Sequence, residues 1–361
     1  MFEKQWKHII RREGLSLYAI PAFFLWIVSL FYRLGSAIHR GWKRDQTRID
    51  IPVVCIGNIT VGGTGKTPMV AFLGRFLLND GLKVGIVSSG YGRSSTESIL
   101  DPGYKVRQMD SSSTGDEVRL LAELLPEAIF SVAEKKVDAA SHLARTGGID
   151  VVIVDDGFQH YELARDVDIV TYDGGIEERL LKPFPYGVLR EPMSALKRAD
   201  VIVITRSKFV RDLRDLQQEL KAINPEADCY SASFSADQLI GREQTMNVKY
   251  LEDKSVLLFA GVGNFRTLER QVSALCGDLD FALELDDHQR YDDALLRHIK
   301  QIADKYDSDL ILTTGKDWVK LGDFDFDREI YYLNQTIDLD PGEEKLIAYL
   351  QERLNLNKQT S

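Results

Sequence analysis

A glycine-rich loop with a lysine and a threonine, TVGGTGKTP at residues 60–68, has the residue types of a phosphate-binding loop. Its glycines would let backbone N–H groups turn toward an anion, and its Lys-Thr pair occupies the positions that contact phosphate and Mg²⁺ in such loops. The usual pattern has a further glycine five residues before Gly65, and this chain has Thr60 there. An apolar run precedes the loop and a helical pattern follows it, which is the setting that brings N–H groups onto a phosphate. We predict a nucleotide site formed by Thr60, Val61, Gly62, Gly63, Thr64, Gly65, Lys66 and Thr67.

An acidic pair follows a second apolar run, VVIV at residues 151–154. Adjacent carboxylates at a buried strand end repel each other unless a cation neutralises them. Asp155 and Asp156 are therefore predicted to share a Mg²⁺ ion with the Thr67 hydroxyl, and an ordinary Asp-Asp-Gly turn is the alternative. Glu191 is a further candidate for the metal sphere, and Arg190 for a phosphate contact.

The nucleotide base is predicted to be adenine. A protein that reads guanine would need an N-K-x-D run after a strand and a D-x-x-G switch. The nearest stretches, TRSK at residues 205–208 and DDGF at residues 155–158, match neither pattern. ATP is therefore the expected nucleotide.

Short apolar runs alternate with amphipathic stretches over most of the chain. The first set of predicted strands covers residues 52–56, 83–87, 128–132, 151–154, 167–172 and 201–205. Helices are predicted near residues 68–79, 116–125, 137–145 and 212–223. Uninterrupted apolar strands are typical of parallel sheets covered on both faces. The pattern predicts an α/β fold with a P-loop NTPase-like, doubly wound parallel sheet.

A second α/β alternation begins near residue 251, with strands at 255–260, 279–285, 309–313 and 329–333 and helices near 265–275 and 292–306. We therefore expect five segments. These are a basic, apolar N-terminal segment (1–48), a P-loop domain (49–224), a connection (225–250), a second, smaller α/β domain (251–345) and a C-terminal tail (346–361) that is polar beyond residue 352.

Charge is distributed unevenly between the N-terminus and the rest of the chain. The formal net charge is -10, yet residues 1–48 hold nine basic and three acidic side chains. Residues 14–32 carry no charge and are flanked by arginines, which predicts a membrane-associated helix lying on anionic headgroups. A buried core helix and a membrane span are the alternatives.

Acidity of the remaining chain argues against nucleic-acid binding. The three cysteines have no C-x-x-C spacing, which excludes a disulfide framework and an ordinary zinc site.

Several motifs together resemble the tetraacyldisaccharide 4'-kinase family. They include GNITVGGTGKTP at residues 57–68, DDGFQH at 155–160, GDE at 115–117 and TTGKDWVKL at 313–321. The resemblance implies that ATP, with Mg²⁺, phosphorylates the 4'-hydroxyl of a tetraacylated glucosamine disaccharide 1-phosphate. Because that substrate has four acyl chains in a bilayer, it also implies peripheral or monotopic association with the cytoplasmic face of the inner membrane. No obligate protein partner is indicated.

The same resemblance implies the catalytic residues. Lys66 should bridge the β- and γ-phosphates, and Asp116 should take the proton of the sugar hydroxyl with His288 as its partner. Asp116 as a helix N-cap is the alternative from the sequence. One departure is visible: Ser89 stands where the family is expected to have arginine, which affects one anion contact, and Arg93 is the nearest residue that could compensate.

Two other functions remain compatible with these patterns. One is a membrane-recruited P-loop ATPase that positions other proteins. The other is a kinase or ligase of small metabolites whose N-terminal helix is buried.

Overall fold

The computed structural model describes residues 5–6, 9–11, 19–41, 45–263, 265–286 and 289–355. Within these residues, thirteen strands form one sheet in the order β11-β10-β12-β13-β8-β7-β6-β1-β5-β2-β4-β3, with β9 paired to β8. The strands are β1 Val53–Gly57, β2 Val84–Ser88, β3 Ile99–Pro102, β4 Ile129–Val132, β5 Val151–Asp155, β6 Val167–Asp173, β7 Val201–Thr205, β8 Asp228–Ile240, β9 Thr245–Asn247, β10 Ser255–Ala260, β11 Asp278–Glu284, β12 Leu310–Thr314 and β13 Glu329–Asp340.

Helices cover both faces of this sheet. They are α1 Ala19–Gly41, α2 Lys66–Asn79, α3 Gly103–Val106, α4 Ser111–Thr114, α5 Asp116–Leu124, α6 Lys136–Thr146, α7 Leu213–Ile223, α8 Phe265–Ser273, α9 Asp293–Tyr306, α10 Gly315–Trp318 and α11 Glu343–Arg353. Apolar side chains of α2 and α5 pack on one face, and those of α6 and α7 on the other. This confirms the predicted doubly wound α/β fold.

Successive residues of β1 show how the sequence produces the two layers. Val54 and Ile56 lie in the core beneath α2, whereas Val53 and Cys55 lie in the opposite core with α6. Because side chains alternate across a strand, a strand covered on both faces must be apolar throughout. β10 repeats this arrangement between α8 and α9. We call the part from β10 to α10 the second α/β region.

A long antiparallel pair, β8 with β13, joins the second α/β region to the first. β8 also pairs in parallel with β7, so the sheet is continuous across the junction. Residues 225–250, expected to be a connection, are thus largely strand. Their polar and small residues gave little strand signal, and the strand is stabilised by its neighbours on both sides. The division of the chain into the domains expected above stays a prediction.

A helix occupies the beginning of the C-terminal segment that was expected to be a tail from residue 346. Residues 343–353 form α11, whose Leu346, Ile347 and Leu350 are buried in the core beside α2. These positions recur at helical spacing and give α11 one apolar face. After the second α/β region, the chain therefore returns to the part of the sheet that α2 covers.

The N-terminal helix α1 has one side that is buried against the protein and an opposite side that exposes apolar residues. Ala22 and Ser29 are buried, and Leu25 packs against the segment around Leu180 and Val188. The outer side exposes large apolar residues, namely Ile20, Phe24, Phe31, Leu34 and Ile38. Ala19–Ile38 is long and apolar enough to cross a membrane by length and composition, with a mean hydropathy of 1.5.

Candidate active site

The glycine-rich loop connects β1 to α2, as the sequence predicted. Gly62 and Gly65 have φ angles of 103° and 85°, a region that glycine adopts without strain. A Cβ at Gly65 would lie 2.5 Å from the Phe234 ring, so a larger residue would not fit. Lys66 begins α2 and Thr67 follows it, which places both side chains at the helix N-terminus.

Side chains from neighbouring strands hold this loop in place. The Thr64 hydroxyl accepts a hydrogen bond from Asn58 Nδ2 (2.9 Å) and lies 2.8 Å from the Thr171 hydroxyl. Thr205 donates to the Thr64 carbonyl (2.9 Å), and Arg206 donates to the Gly63 carbonyl (2.9 Å). The ends of β1, β6 and β7 therefore fix the loop before any nucleotide binds.

Thr60 occupies a position that has no need of glycine. It forms an isolated β-bridge with Leu189, the next N–H of the loop donates to the Val188 carbonyl (2.8 Å), and its side chain is buried. Thr60 is absent from the residues with a positive φ in the described chain. A β-branched residue suits such extended, paired backbone, which explains the departure from the usual pattern.

The acidic pair lies at the carboxyl end of β5. Asp155 is buried, and its Oδ1 has no hydrogen-bond partner among the described residues. Burial, together with the negative charge of Glu117, raises the pKa of Asp155 to about 6. A buried, incompletely paired carboxylate of this kind is where a cation would be most stabilising.

Asp156 connects the acidic pair to the glycine-rich loop. Its carboxylate lies 3.6 Å from Lys66 Nζ and 3.0 Å from an Arg190 guanidinium nitrogen. Burial alone would raise the pKa of Asp156, but Lys66 and Arg190 hold it below its ordinary value. The structure thus brings Lys66, Asp155, Asp156 and Arg190 together, as the sequence predicted.

A buried lysine that sequence reasoning missed supports the same turn. Lys136 Nζ donates to the main-chain carbonyls of Asp155 and Asp156. Burial lowers the pKa of Lys136, although the two nearby carboxylates oppose this. It lies in the unremarkable run AEKK, so no local signal marked it.

Glu117 belongs to the GDE motif at residues 115–117, but the sequence analysis gave it no role in the site. It lines a cavity together with other residues from the ends of β2, β5, α5 and α6, among them Ser88, Ser89, Lys136, Asp155 and Asp156. Its carboxylate pairs with Lys316 (2.9 Å), a residue of α10 in the second α/β region. Ser89 thus faces the site, whereas Arg93 donates to the Glu97 carbonyl (2.7 Å).

Asp116 is the first residue of α5 and is not its N-cap. Gly115 occupies the cap with a φ of 92°, so the alternative interpretation of Asp116 as a cap was wrong. The Asp116 carboxylate lies 3.2 Å from Lys320 Nζ. His288, predicted to be its partner, lies outside the described residues.

Glu191 is held by residues other than those lining the cavity. Both carboxylate oxygens accept hydrogen bonds, from Gln159 (2.9 Å), Tyr161 (2.8 Å) and two nitrogens of Arg198 (3.0 Å each). Burial would raise the pKa of Glu191, but these donors, Arg198 first, lower it. Its assignment to the metal sphere stays a prediction.

Mg²⁺ is compatible with the oxygen donors present here. Among the described residues there is no ready-made group of three His, Cys, Asp or Glu side chains. Mg²⁺ bound with a nucleotide usually takes one or two protein oxygens, the remainder being phosphate oxygens and water. The Thr67 hydroxyl and the unpartnered oxygen of Asp155 fit that chemistry.

The sheet is largely parallel, its first strand leads through a glycine-rich loop with a Lys-Thr pair into a helix, and an acidic strand end lies beside that loop. These features together define a P-loop phosphotransferase or NTPase. Comparison with known proteins identifies the family within this class. A family model for LpxK, tetraacyldisaccharide-1-P 4'-kinase, matches residues 21–355. The chain belongs to this family, and so it is an ATP-dependent kinase.

Individual relatives agree with the family assignment. The tetraacyldisaccharide 4'-kinase of Desulfotalea psychrophila is 32% identical over 335 residues, 91% of this chain and 92% of that protein. The enzyme of that name from Syntrophotalea carbinolica is 35% identical over 319 residues, 84% of each chain. LpxK from Aquifex aeolicus, solved in complex with ATP, has a TM-score of 0.71 at 23% identity and covers 92% of this chain and 97% of that one. This last likeness supports the fold.

Proposed function

We propose that the protein transfers the γ-phosphoryl group of ATP to the 4'-hydroxyl of tetraacyldisaccharide 1-phosphate. One observation carries this proposal beyond family membership. Lys66 Nζ lies 3.6 Å from Asp156, so the nucleotide loop and the acidic strand end form one site. The same site includes Glu117 and lies beside Asp116. Carboxylates at these positions could accept a proton from an acceptor hydroxyl, which ATP hydrolysis alone would not require.

Nucleotide binding falls to the loop and its helix. The N–H groups of residues 62–67 and the N-terminus of α2 receive the phosphates. Lys66 exchanges its Asp156 partner for the β- and γ-phosphate oxygens, while Arg190 keeps Asp156 paired. Thr67 and Asp155 would hold Mg²⁺, which would neutralise phosphate charge. A contact from Glu191 would require it to give up one of its present hydrogen bonds.

Proton removal falls to Asp116 with His288. A sugar hydroxyl is a weak nucleophile, and a carboxylate within hydrogen-bond reach takes its proton during transfer. Asp116 is suitably placed because it begins the helix that carries Glu117 into the cavity. His288 follows β11 in the sequence, so the second α/β region contributes to catalysis in this proposal.

In this proposal α1 binds the membrane surface, and the surface is the cytoplasmic face of the inner membrane. The outer side of α1 exposes apolar side chains that a soluble surface rarely shows as a contiguous patch. The arginines around it suit anionic headgroups. Docking of α1 would bring the cavity to a substrate whose acyl chains stay in the bilayer.

A transfer assay tests the proposed reaction. Lys66→Ala should reduce phosphorylation of the detergent-solubilised disaccharide on the order of 10²-fold or more, because one phosphate contact made in the transition state is lost. Circular dichroism should show an unchanged fold, and Lys83→Ala, which removes an exposed lysine immediately before β2, is the control. ATP hydrolysis without any transfer to lipid would instead favour a membrane-recruited ATPase, and full activity of the Lys66 variant would exclude the loop assignment.

A further inference from the structure

Two lysines of one short segment reach across to the first turn of α5. Lys316 pairs with Glu117 (2.9 Å) and Lys320, one turn later, pairs with Asp116 (3.2 Å). The segment packs directly on α5, since a Cβ at Gly315 would lie 2.8 Å from Leu120 Cδ1. These ion pairs therefore join the second α/β region to the helix that carries the proposed base.

Burial distinguishes the two ion pairs. The Lys320 side chain is 9% exposed and that of Asp116 is 24% exposed, whereas Lys316 and Glu117 are 35% and 38% exposed. Exposed ion pairs contribute little because water screens them. Loss of one member of an ion pair costs more free energy as the pair becomes more buried, because less water reaches the remaining charge. Because Lys320 is the more buried of the two lysines and contacts Asp116 directly, its removal should change the surroundings of the Asp116 carboxylate more than removal of Lys316 would.

Lys320 is itself held by a fully buried carboxylate. Asp317 Oδ1 lies 3.9 Å from Lys320 Nζ, and its Oδ2 accepts hydrogen bonds from Thr314 Oγ1 (2.7 Å) and Gly261 N (3.0 Å). Asp317 therefore links the carboxyl ends of β10 and β12. The ring of Tyr291 lies 5.9 Å from the same ammonium group. These contacts hold Lys320 close to the carboxyl ends of β10 and β12.

The backbone before Asp116 is closely packed, whereas the orientation of its side chain depends on contacts such as the ion pair with Lys320. Gly115 precedes it with a φ of 92°, and a Cβ there would lie 3.1 Å from the Tyr91 carbonyl. The α5 N-terminus therefore packs closely on the segment that contains Tyr91, and the Lys320 ammonium group is a contact that can orient the Asp116 carboxylate.

We propose that Lys320 is a positioning residue for phosphoryl transfer, which holds the Asp116 carboxylate against the frame of β10 and β12 so that it meets the acceptor hydroxyl in a fixed orientation. This inference rests on the proposed function, in which Asp116 is the base. Lys320 touches neither nucleotide nor acceptor in this role, and it acts through Asp116.

Steady-state kinetics of the full-length protein test the proposal with ATP and the detergent-solubilised disaccharide. Lys320→Met should lower kcat about 10- to 100-fold, because a misplaced catalytic group costs rate on that scale. KM for ATP should stay within twofold, and Lys320→Arg should recover part of kcat because it restores the cation. Lys300→Met, which removes an ion-paired lysine of α9 in the same region, should leave kcat unchanged.

A double-variant comparison separates positioning from simple docking of the two regions. In an Asp116→Asn background, Lys320→Met should lower the residual kcat by less than twofold, since the group it positions is already gone. An equal loss in both backgrounds, or a Lys320→Met enzyme as active as Lys300→Met, would overturn the proposal while wild-type transfer upholds the proposed function. Lack of transfer by the wild type would overturn both. Lys320→Gln carries the same comparison if thermal unfolding shows that the methionine variant is unstable.

Discussion

Asp155 shows, for a single residue, how a buried carboxylate costs stability. Its carboxylate is buried beside Glu117, and its pKa is raised to about 6. A raised pKa means that the protonated form is favoured by folding, so this contribution to stability is complete below the unfolded value near 4 and is lost as pH rises through about 6. At neutral pH the metal-free protein therefore carries an unfavourable charge at this position.

Asp155→Asn should stabilise the metal-free protein at neutral pH. In EDTA, its unfolding free energy minus that of the wild type should increase by about 1–3 kcal/mol between pH 4 and pH 7, because the amide has no charge to desolvate. Urea unfolding monitored by circular dichroism at several pH values gives this difference. Mg²⁺ with ATP should then raise the stability of the wild type more than that of the variant. Parallel curves for the two proteins across pH would contradict this account of Asp155.

Residues with a local signature could be predicted from the sequence, whereas residues whose role depends on distant contacts could not. Lys66 and Asp155 each follow an apolar strand in a recognisable run. Lys136 lies in no recognisable run, and Glu117, although part of the GDE motif, does not follow an apolar strand. Only the fold brings these two residues to Asp155. Lys320 is 204 positions from Asp116, so no spacing along the chain could pair them.

At the scale of elements, apolar strands covered on both faces were the most predictable feature. β1, β5 and β7 are buried throughout and lie within one residue of their predicted bounds. β8 escaped prediction because its alternating small and polar residues are paired with strands on both sides. Its conformation is decided by neighbours far away in sequence, which local propensity does not report.

Thr60→Gly should weaken the protein even though it restores the usual loop pattern. The threonine is buried in extended backbone paired to Leu189, so glycine loses packing and gains freedom in the unfolded chain. We expect a loss of about 1–2 kcal/mol in unfolding free energy. KM for ATP should be unchanged, because the N–H groups that we propose to bind phosphate come from residues 62–67 and not from Thr60.

The control for this substitution is Thr245→Gly, at an exposed position of β9. It removes backbone restriction with little packing and should cost about 0.5–1 kcal/mol. Chemical unfolding gives both values. A Thr60→Gly protein that binds ATP more tightly and keeps full stability would contradict this account, because it would show that Thr60 weakens nucleotide binding and does not stabilise the loop.

At the scale of the whole molecule, α1 is connected to the nucleotide loop through one apolar cluster. Ile10, Leu25, Val61, Leu180 and Val188 pack together, and Val61 belongs to the loop itself. The Trp6 and Tyr32 rings contact Phe184 in the same segment. The inner side of α1 is thus part of the folded body, while the outer side presents Phe24, Phe31 and Leu34 to the surroundings.

Replacing Phe24, Phe31 and Leu34 by serine should therefore abolish membrane binding without unfolding the protein. The three positions recur at helical spacing on the outer side of α1, and no side chain of the inner cluster changes. The full-length variant should stay in solution when vesicles of phosphatidylethanolamine and phosphatidylglycerol are sedimented, whereas the wild type should pellet with them. Phe209→Ser, at a similarly exposed aromatic residue outside α1, should pellet like the wild type. ATP binding should be equal in all three proteins, because the inner side of α1 and its contact with Val61 are retained. A triple variant that still pellets would place the membrane contact elsewhere, and one that loses ATP binding would show that the outer side of α1 also supports the loop.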